Sequence, residues 1–153
     1  MIRKKELMLL ACLRNNARET LTSISKKTNI PVSTIFDKLK EYEKTFIKKH
    51  TSILDFKKLG YDIRINILLK VDREKRNLLE QFLLAEHSVN SVFRINNIYD
   101  YLVDAIFRDI KEFQEFADKL ETYGISDIKE HFVVDELIRE KFLSDKDFIE
   151  LLC

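Results

Sequence analysis

Apolar residues recur at helical spacing three times within the first fifty positions. Residues 5–15 carry a wide apolar stripe, which predicts a first helix. A second, short helix is predicted between Thr20, whose side chain can cap its start, and Asn29, a residue type that accepts the left-handed backbone found where helices end. Pro31 suits the first turn of a third helix. The spacing therefore predicts a three-helix head with a helix-turn-helix at its centre.

The third predicted helix, which runs to about Lys44, has two different faces. Its apolar face is formed by Val32, Ile35, Leu39 and Tyr42, and its polar face by Ser33, Thr34, Asp37, Lys38, Lys40 and Glu41. Small hydroxyl side chains near the start of such a helix let it approach a DNA groove, and lysines further along reach phosphates. We therefore interpret Ser33, Thr34, Asp37, Lys38 and Lys40 as DNA-binding residues. The alternative is a packing module whose polar face is only solvated.

The segment after this helix combines β-branched and aromatic residues with basic ones. We expect residues 46–54 to form a short strand that leads out of a winged head, with Lys48, Lys49 and His50 near phosphates. Residues 55–60 contain the turn-like junction of the chain's middle, so the domain boundary is placed there. This divides the chain into a head at 1–52, a hinge at 53–60, a second domain at 61–135 and a tail at 136–153.

Strand-like and helix-like patterns alternate in the second domain. Strands are predicted at 61–71, 88–96, 99–107 and 125–134, and helices at 73–86 and 109–122. The order βαββαβ predicts an α+β, ferredoxin-like fold with two helices on one side of a four-stranded sheet. The predicted inward residues are Ile63, Ile65, Ile67, Leu69, Leu78, Leu79, Phe82, Leu83, Ala85, Val89, Ser91, Phe93, Ile95, Ile110, Phe113, Phe116, Ala117 and Leu120. Because the other sheet face would be uncovered and apolar, we expect it to pack on a second copy.

Two smaller patterns concern the tail and the charge. Ser144 and Asp147 predict the start of a short apolar helix over 148–153. Residues 1–52 hold 12 Lys and Arg against 5 Asp and Glu, a net charge of +7, whereas the remainder has a net charge of −6. A basic head attracts the phosphate backbone, while an acidic second half is left to assemble or to bind a ligand. The alternative is that the head is rich in lysine for solubility alone.

Composition removes several function classes. The chain has two glycines and one proline, which disfavours a glycine-rich phosphate loop and hence a nucleotide cofactor. It shows no run of about 20 apolar residues, so we expect no membrane span and a cytoplasmic protein. Cys12 and Cys153 fit neither a disulfide framework nor a metal-ligand spacing, and we expect both thiols to be reduced.

Several of these segments resemble the Lrp/AsnC (feast/famine) family of prokaryotic transcription regulators over residues 5–135. The matching elements are the segment 16–18 (Asn-Ala-Arg), the helix pair 20–42, Leu54-Asp55, the hinge segment 59–61 (Leu-Gly-Tyr) and the βαββαβ order. The resemblance implies a DNA-binding head joined to an effector-binding and assembly domain. It also implies a homodimer formed through the sheet, often further assembled into octamers.

The resemblance places an effector loop at Asn97, Ile98, Tyr99 and Asp100. Family members typically have a Gly-Asp pair where this chain has Asn97 and Ile98. Asn accepts the positive backbone angle that Gly supplies, but Ile98 cannot accept a hydrogen bond from an ammonium group. The chain also lacks the glycine of the turn after the recognition helix, at 44–47, and carries Ile128, Glu130 and His131 in a strand that is threonine-rich in relatives. An amino-acid effector is therefore not expected.

Catalysis is the more remote alternative. A branch with the same architecture, the sirohaem decarboxylases, uses histidine and arginine near the second and third strands. Here the histidines are His50, His87 and His131, and Arg94 in the second strand has no flanking histidine. No metal or nucleophile spacing is present, so we assign no catalytic residue. The sequence predicts a sequence-specific DNA-binding transcription regulator; the alternative of the same fold is an assembly or small-molecule-sensing protein without specific DNA readout.

Overall fold

Two compact units make up the protein in the computed structural model, which describes residues 3–145. One unit extends from the N-terminal helix to Ile53 and also includes the described residues from Leu137, 137–145. The other unit is Leu54–Glu136. The first unit, called the head below, is therefore built from two separate stretches of the chain, and the second, called the sheet unit, from one.

Three helices form the head. They are α1 (Lys4–Asn15), α2 (Leu21–Thr28) and α3 (Val32–Thr45). The Thr20 hydroxyl accepts a hydrogen bond from the Ser23 backbone N–H at the start of α2, and Asn29 ends that helix with a left-handed φ of 54°. Both features were predicted from the sequence and are confirmed. The buried core of the three helices consists of Leu9, Cys12, Ile24, Ile35 and Tyr42.

The prediction of a strand at 46–54 is wrong. Residues 47–55 have no regular structure, so the head has no wing here. A strand needs a neighbour to satisfy its backbone groups, whereas the Ile47 N–H donates instead to the Tyr42 carbonyl, 2.8 Å away, at the end of α3. The Ile47 side chain packs against the head core. This contact turns the chain back on the head rather than leading it out as a strand.

The sheet unit has the predicted βαββαβ order. Its elements are β1 (Ile63–Val71), α4 (Arg76–Ala85), β2 (Val89–Arg94), β3 (Tyr101–Phe107), α5 (Ile110–Glu121) and β4 (Ile125–Phe132), with short 3₁₀ turns at Lys57–Leu59 and Arg73–Lys75. The strands lie in the order β2-β3-β1-β4, and every neighbouring pair is antiparallel. The predicted ferredoxin-like α+β fold is confirmed. The two central strands, β1 and β3, are neighbours in the sheet, but α4 and β2 lie between them along the chain.

The core of the sheet unit lies between the helices and one face of the sheet. It contains Ile65, Ile67, Leu69 and Val71 of β1, Val103, Ala105 and Phe107 of β3, Leu79 and Leu83 of α4, and Phe113, Phe116 and Leu120 of α5. Asp109 caps α5 by accepting hydrogen bonds from the N–H groups of Lys111 and Glu112, each at 2.9 Å. The apolar face predicted for the first strand is therefore confirmed as the helix-covered face.

Some predicted inward positions are wrong, for two reasons. In β2, the pairing with β3 shifts between Val89 and Ser91, so that Val92 joins the core and Phe93 is 55% exposed. A bulge of this kind reverses the alternation that the sequence shows. At the helix margins, Leu78, Ala85 and Ile110 are exposed although their spacing placed them inward. Only one side of each helix meets the sheet, so fewer positions are buried than the helical spacing places inward.

The uncovered side of the sheet, called the open face, is more polar than predicted. It carries Arg64, Asn66, Leu68, Lys70, Asn90, Phe93, Leu102, Asp104 and Ile106. At its centre Asp104 is 7% exposed and receives two hydrogen bonds from the Arg64 guanidinium, at 2.8 and 2.9 Å, and one from the Asn90 amide at 2.7 Å. This carboxylate raises the pKa of Arg64. The apolar residues from which an apolar uncovered face was predicted lie mainly in the core against the helices.

The last described residues return to the head. The Arg14 side chain of α1 donates to the Phe142 carbonyl at 2.9 Å, to the Glu140 carbonyl at 3.1 Å and to the Glu140 carboxylate at 3.0 Å. Glu140 and Leu143 both have left-handed φ angles, of 57° and 56°. This segment therefore turns sharply where Arg14 holds it. Of the predicted C-terminal helix, Ser144 at its start is described, whereas Asp147 and residues 148–153 lie outside the described residues.

Candidate nucleic-acid interface

One stripe of α3 points away from the head core. It consists of Ser33, Asp37, Lys40 and Lys44, all exposed, and is called the outward stripe below. Their spacings of four, three and four residues place them on the side opposite the buried Ile35 and Tyr42. Three members were predicted as DNA-binding residues. Lys44 was missed, although extending the same spacing by one turn would have found it.

Lys38 and Thr34 lie on a flank of the helix rather than on the outward stripe. The Lys38 ammonium contacts the Glu6 carboxylate of α1 at 2.8 Å and the Glu41 carboxylate at 3.3 Å. The hydrogen bond with Glu6 raises the pKa of Lys38, and the same bond lowers the pKa of Glu6. Thr34 is exposed. Lys38 therefore links two helices of the head, and its predicted phosphate contact stays a prediction.

Two apolar side chains are exposed beside the outward stripe. Val32 was predicted on the packing face, but it is 42% exposed and lies outside the buried core. Phe36 is 48% exposed, and the Lys40 ammonium lies 4.3 Å from the centre of its ring. Phe36 was not predicted, since it belongs to neither of the two faces that the spacing assigned to this helix. Its position one residue after the buried Ile35 is the signal that could have found it.

Basic residues continue past the end of α3. Lys48 and Lys49 are exposed in the irregular segment, and the His50 ring lies 3.4 Å from the Glu43 carboxylate. Residues 1–52 carry a net charge of +7, and these basic residues continue the positive charge of α3 along the chain. Such a surface favours a polyanion over a neutral partner.

The predicted effector loop lies in the sheet unit between β2 and β3. Asn97 has the expected positive φ, at 82°, and the Ile98 side chain is 62% exposed. The Tyr99 hydroxyl donates to the Asp127 carboxylate at 2.9 Å. The Asp100 carboxylate accepts a hydrogen bond from the Val71 N–H at 3.0 Å and pairs with the Arg76 guanidinium. The loop's carboxylate is thus used to fasten the loop to its own unit.

A further polar cluster near this loop was not predicted. The Arg94 guanidinium donates two hydrogen bonds to the Glu80 carboxylate, at 2.6 and 2.7 Å, and the Tyr101 hydroxyl also donates to Glu80. Arg94, followed by Tyr101, lowers the pKa of Glu80 to about 2. The contacts of the ionised Glu80 carboxylate stabilise the folded protein at neutral pH, and this stabilisation is lost as the pH falls from about 4.5 towards 2. This cluster joins α4 to the edge of the sheet.

Within residues 3–145, no three His, Cys, Asp or Glu side chains are grouped so that they could hold a metal ion. No helix in the same range is both long and apolar enough to cross a bilayer. His50, His87 and His131 are all exposed.

Comparison with known proteins gives consistent matches. The family model described as the Lrp/AsnC ligand binding domain matches residues 65–142. An uncharacterized HTH-type transcriptional regulator of Pyrococcus furiosus is 28% identical over 136 residues, which cover 88% of this chain and 91% of that protein. The HTH-type transcriptional regulator FL11 of Pyrococcus horikoshii is 30% identical over 111 residues, 72% of this chain and 74% of the relative.

Solved structures agree in fold. The transcriptional regulator NMB0573 of Neisseria meningitidis, in complex with L-Met, superposes with a TM-score of 0.84 at 22% identity, over 91% of this chain and 94% of that one. At this identity the likeness concerns the fold, in which a helical head precedes a four-stranded sheet with helices. The predicted combination of a helix-turn-helix with a ferredoxin-like domain is confirmed.

Proposed function

The chain belongs to the Lrp/AsnC family of transcription regulators, and we propose that it binds duplex DNA through the outward stripe of α3. The observation that carries the proposal is the exposed row of Ser33, Asp37, Lys40 and Lys44 on the second helix of a helix-turn-helix. In that motif the second helix enters the major groove with its N-terminal residues at the base edges.

The two ends of the outward stripe suit different parts of DNA. Ser33 and Asp37 lie in the first half of α3, where a hydroxyl can bond to several bases and a carboxylate can accept from the cytosine amino group. Lys40 and Lys44 follow in the second half, where long cationic side chains reach phosphates. Base contacts specify the sequence, while phosphate contacts supply affinity that falls with salt. The helix thus offers both requirements of a specific binder.

The test is selection of binding sites from a random-sequence duplex pool with the purified chain. A DNA-binding regulator enriches one recurrent motif, and fluorescence anisotropy with that motif then gives an affinity that falls steeply between 50 and 200 mM salt. A chain of the same fold without sequence readout would bind the selected and the unselected duplexes equally.

The open face of the sheet is the proposed dimer interface. Leu68, Leu102 and Ile106 are half-buried there in a single chain, and Phe93 is mostly exposed. A two-fold contact would cover these side chains and would further desolvate the paired Arg64 and Asp104 beside them. Two copies of α3 in one dimer then suit the two half-sites of a pseudo-palindromic operator.

The sheet unit alone is expected to form this dimer. A fragment comprising residues 54–136 contains the whole open face and the whole core of its own unit. Light scattering should give twice the mass of the fragment. Phe93→Glu should shift that mass towards the monomer, because it introduces a charge among apolar side chains. The exposed Leu84→Glu on α4 is the matched control and should leave the dimer intact. A parent fragment that is monomeric at tens of micromolar would refute the interface.

The effector loop does not suit an amino acid. A zwitterionic ligand needs an acceptor for its ammonium group, but Ile98 offers none and the Asp100 carboxylate is occupied by Val71 and Arg76. An ammonium group buried without a partner costs several kcal/mol, which offsets the roughly 5.5 kcal/mol that corresponds to a dissociation constant of 0.1 mM. The chain is therefore proposed to regulate without an amino-acid effector or with a more apolar one.

A screen of the twenty common amino acids is expected to give no saturable binding below 1 mM. Calorimetry or thermal shift with the intact oligomer measures it. Ile98→Asp supplies the missing carboxylate and is the informative comparison, since it can gain binding where the parent shows none. A clear hit with the parent chain that is lost on changing Asn97 would contradict the proposal.

A further inference from the structure

Val32 and Phe36 are the two large apolar residues among the exposed positions of α3. They are four residues apart, so they are neighbours on one flank of α3, next to the outward stripe. Neither belongs to the head core, which the buried Ile35 and Tyr42 already complete from the other side of the helix. Val32 and Phe36 therefore leave part of their apolar surface uncovered at the start of this helix.

The ring of Phe36 is held next to a cation. The Lys40 ammonium lies 4.3 Å from the ring centre, one helical turn further on. A cation at this distance is attracted to the face of the ring. An apolar surface near the helix start is thus followed directly by a positive charge.

That order matches the chemistry of the major groove. The thymine C5 methyl group is the apolar group that a base pair presents there, and apolar side chains such as Phe contact it. Phosphates flank the bases and attract the lysine. We propose that Phe36, assisted by Val32, reads thymine methyl groups and is a specificity-determining residue of the head. This inference rests on the proposed function, namely that α3 enters the major groove.

The experiment compares thymine with deoxyuridine, which differs only in lacking the methyl group. The probe is the duplex that the full chain selects from a random pool, made once with thymine and once with deoxyuridine at the recurrent thymine positions. The parent chain should bind the deoxyuridine duplex about threefold to fourfold more weakly for each methyl group that the ring covers. Phe36→Ala should bind the thymine duplex more weakly and should lose most of the difference between the two duplexes.

Two further variants separate the methyl contact from a general loss of binding. Phe36→Leu keeps an apolar side chain and should keep part of the discrimination. Lys44→Ala should weaken binding to both duplexes equally, because a phosphate contact is blind to the base. Because Phe36 is 48% exposed, thermal melting of Phe36→Ala should match that of the parent.

The possible failures are distinguishable. If no duplex binds at any salt concentration, the proposed DNA-binding function fails and the inference fails with it. If the parent binds a selected motif but tolerates deoxyuridine, or if that motif has no recurrent thymine, only the role of Phe36 is overturned. Full discrimination retained by Phe36→Ala would also overturn it.

Discussion

Replacing both Lys40 and Lys44 with alanine is expected to lower the affinity for duplex DNA at least about tenfold near 0.1 M salt. Both lysines are exposed on the outward stripe, where each can neutralise one phosphate. Each lost phosphate contact should reduce the slope of log affinity against log salt by about 0.9 per head. Anisotropy titrations over a salt series measure both quantities.

A matched control removes the same charge elsewhere. Lys111 and Lys119 are exposed on α5 of the sheet unit, and replacing both with alanine should leave the salt slope close to that of the parent. Equal losses in the two double variants would mean that only net charge matters. An unchanged Lys40/Lys44 variant would show that another face docks on DNA. Lys38→Ala is a less direct test, because it also breaks the contact with Glu6.

Asp104→Ala is expected to lower the free energy of unfolding of the sheet unit by about 3 to 5 kcal/mol. The carboxylate is nearly buried on the open face and receives three hydrogen bonds from Arg64 and Asn90. Its removal leaves the partly desolvated guanidinium with only the exposed Glu136 carboxylate as a charged partner. Urea denaturation at fixed protein concentration measures the loss.

The neighbouring acid provides the control. Glu136 also pairs with Arg64, but its side chain is 41% exposed, so Glu136→Gln should cost no more than about 1 kcal/mol. Replacing Arg64 and Asp104 together by Met and Leu should recover most of the loss, since both members of the largely buried ion pair are then removed together. If Asp104→Ala unfolds like the Glu136 variant, the central ion pair contributes little to this fold.

The order of elements was predictable because each depends on nearby residues. The cap at Thr20, the left-handed Asn29 and the alternation in β1 are local signals, and they led to the correct architecture. The absent strand after α3 depends on whether a partner strand is present, which the local pattern does not contain. The exposure of Phe93 depends on a shift in the pairing with β3, which alternation along β2 cannot show.

The candidate site shows the same division. The exposure of Ser33, Asp37 and Lys40 follows from helical spacing alone. The engagement of Lys38 depends on Glu6, 32 positions earlier, and therefore on how two helices pack. Asp100 was a candidate ligand group by resemblance, but its carboxylate is directed to Val71 and Arg76 by the meeting of a loop, a strand and a helix.

The hydrogen bonds from Arg14 to Glu140 and Phe142 have a consequence for folding during synthesis. Its partners at Glu140 and Phe142 lie 126 and 128 positions later, whereas the core of the three helices comes from the first 47 residues. At ribosomal rates, about 6 to 25 s pass between the appearance of Arg14 and that of Glu140. The helical core can therefore form on the nascent chain well before the sheet unit is complete. Arg14 can bind residues 140–142 only after the chain between them, including the whole sheet unit, has been synthesised.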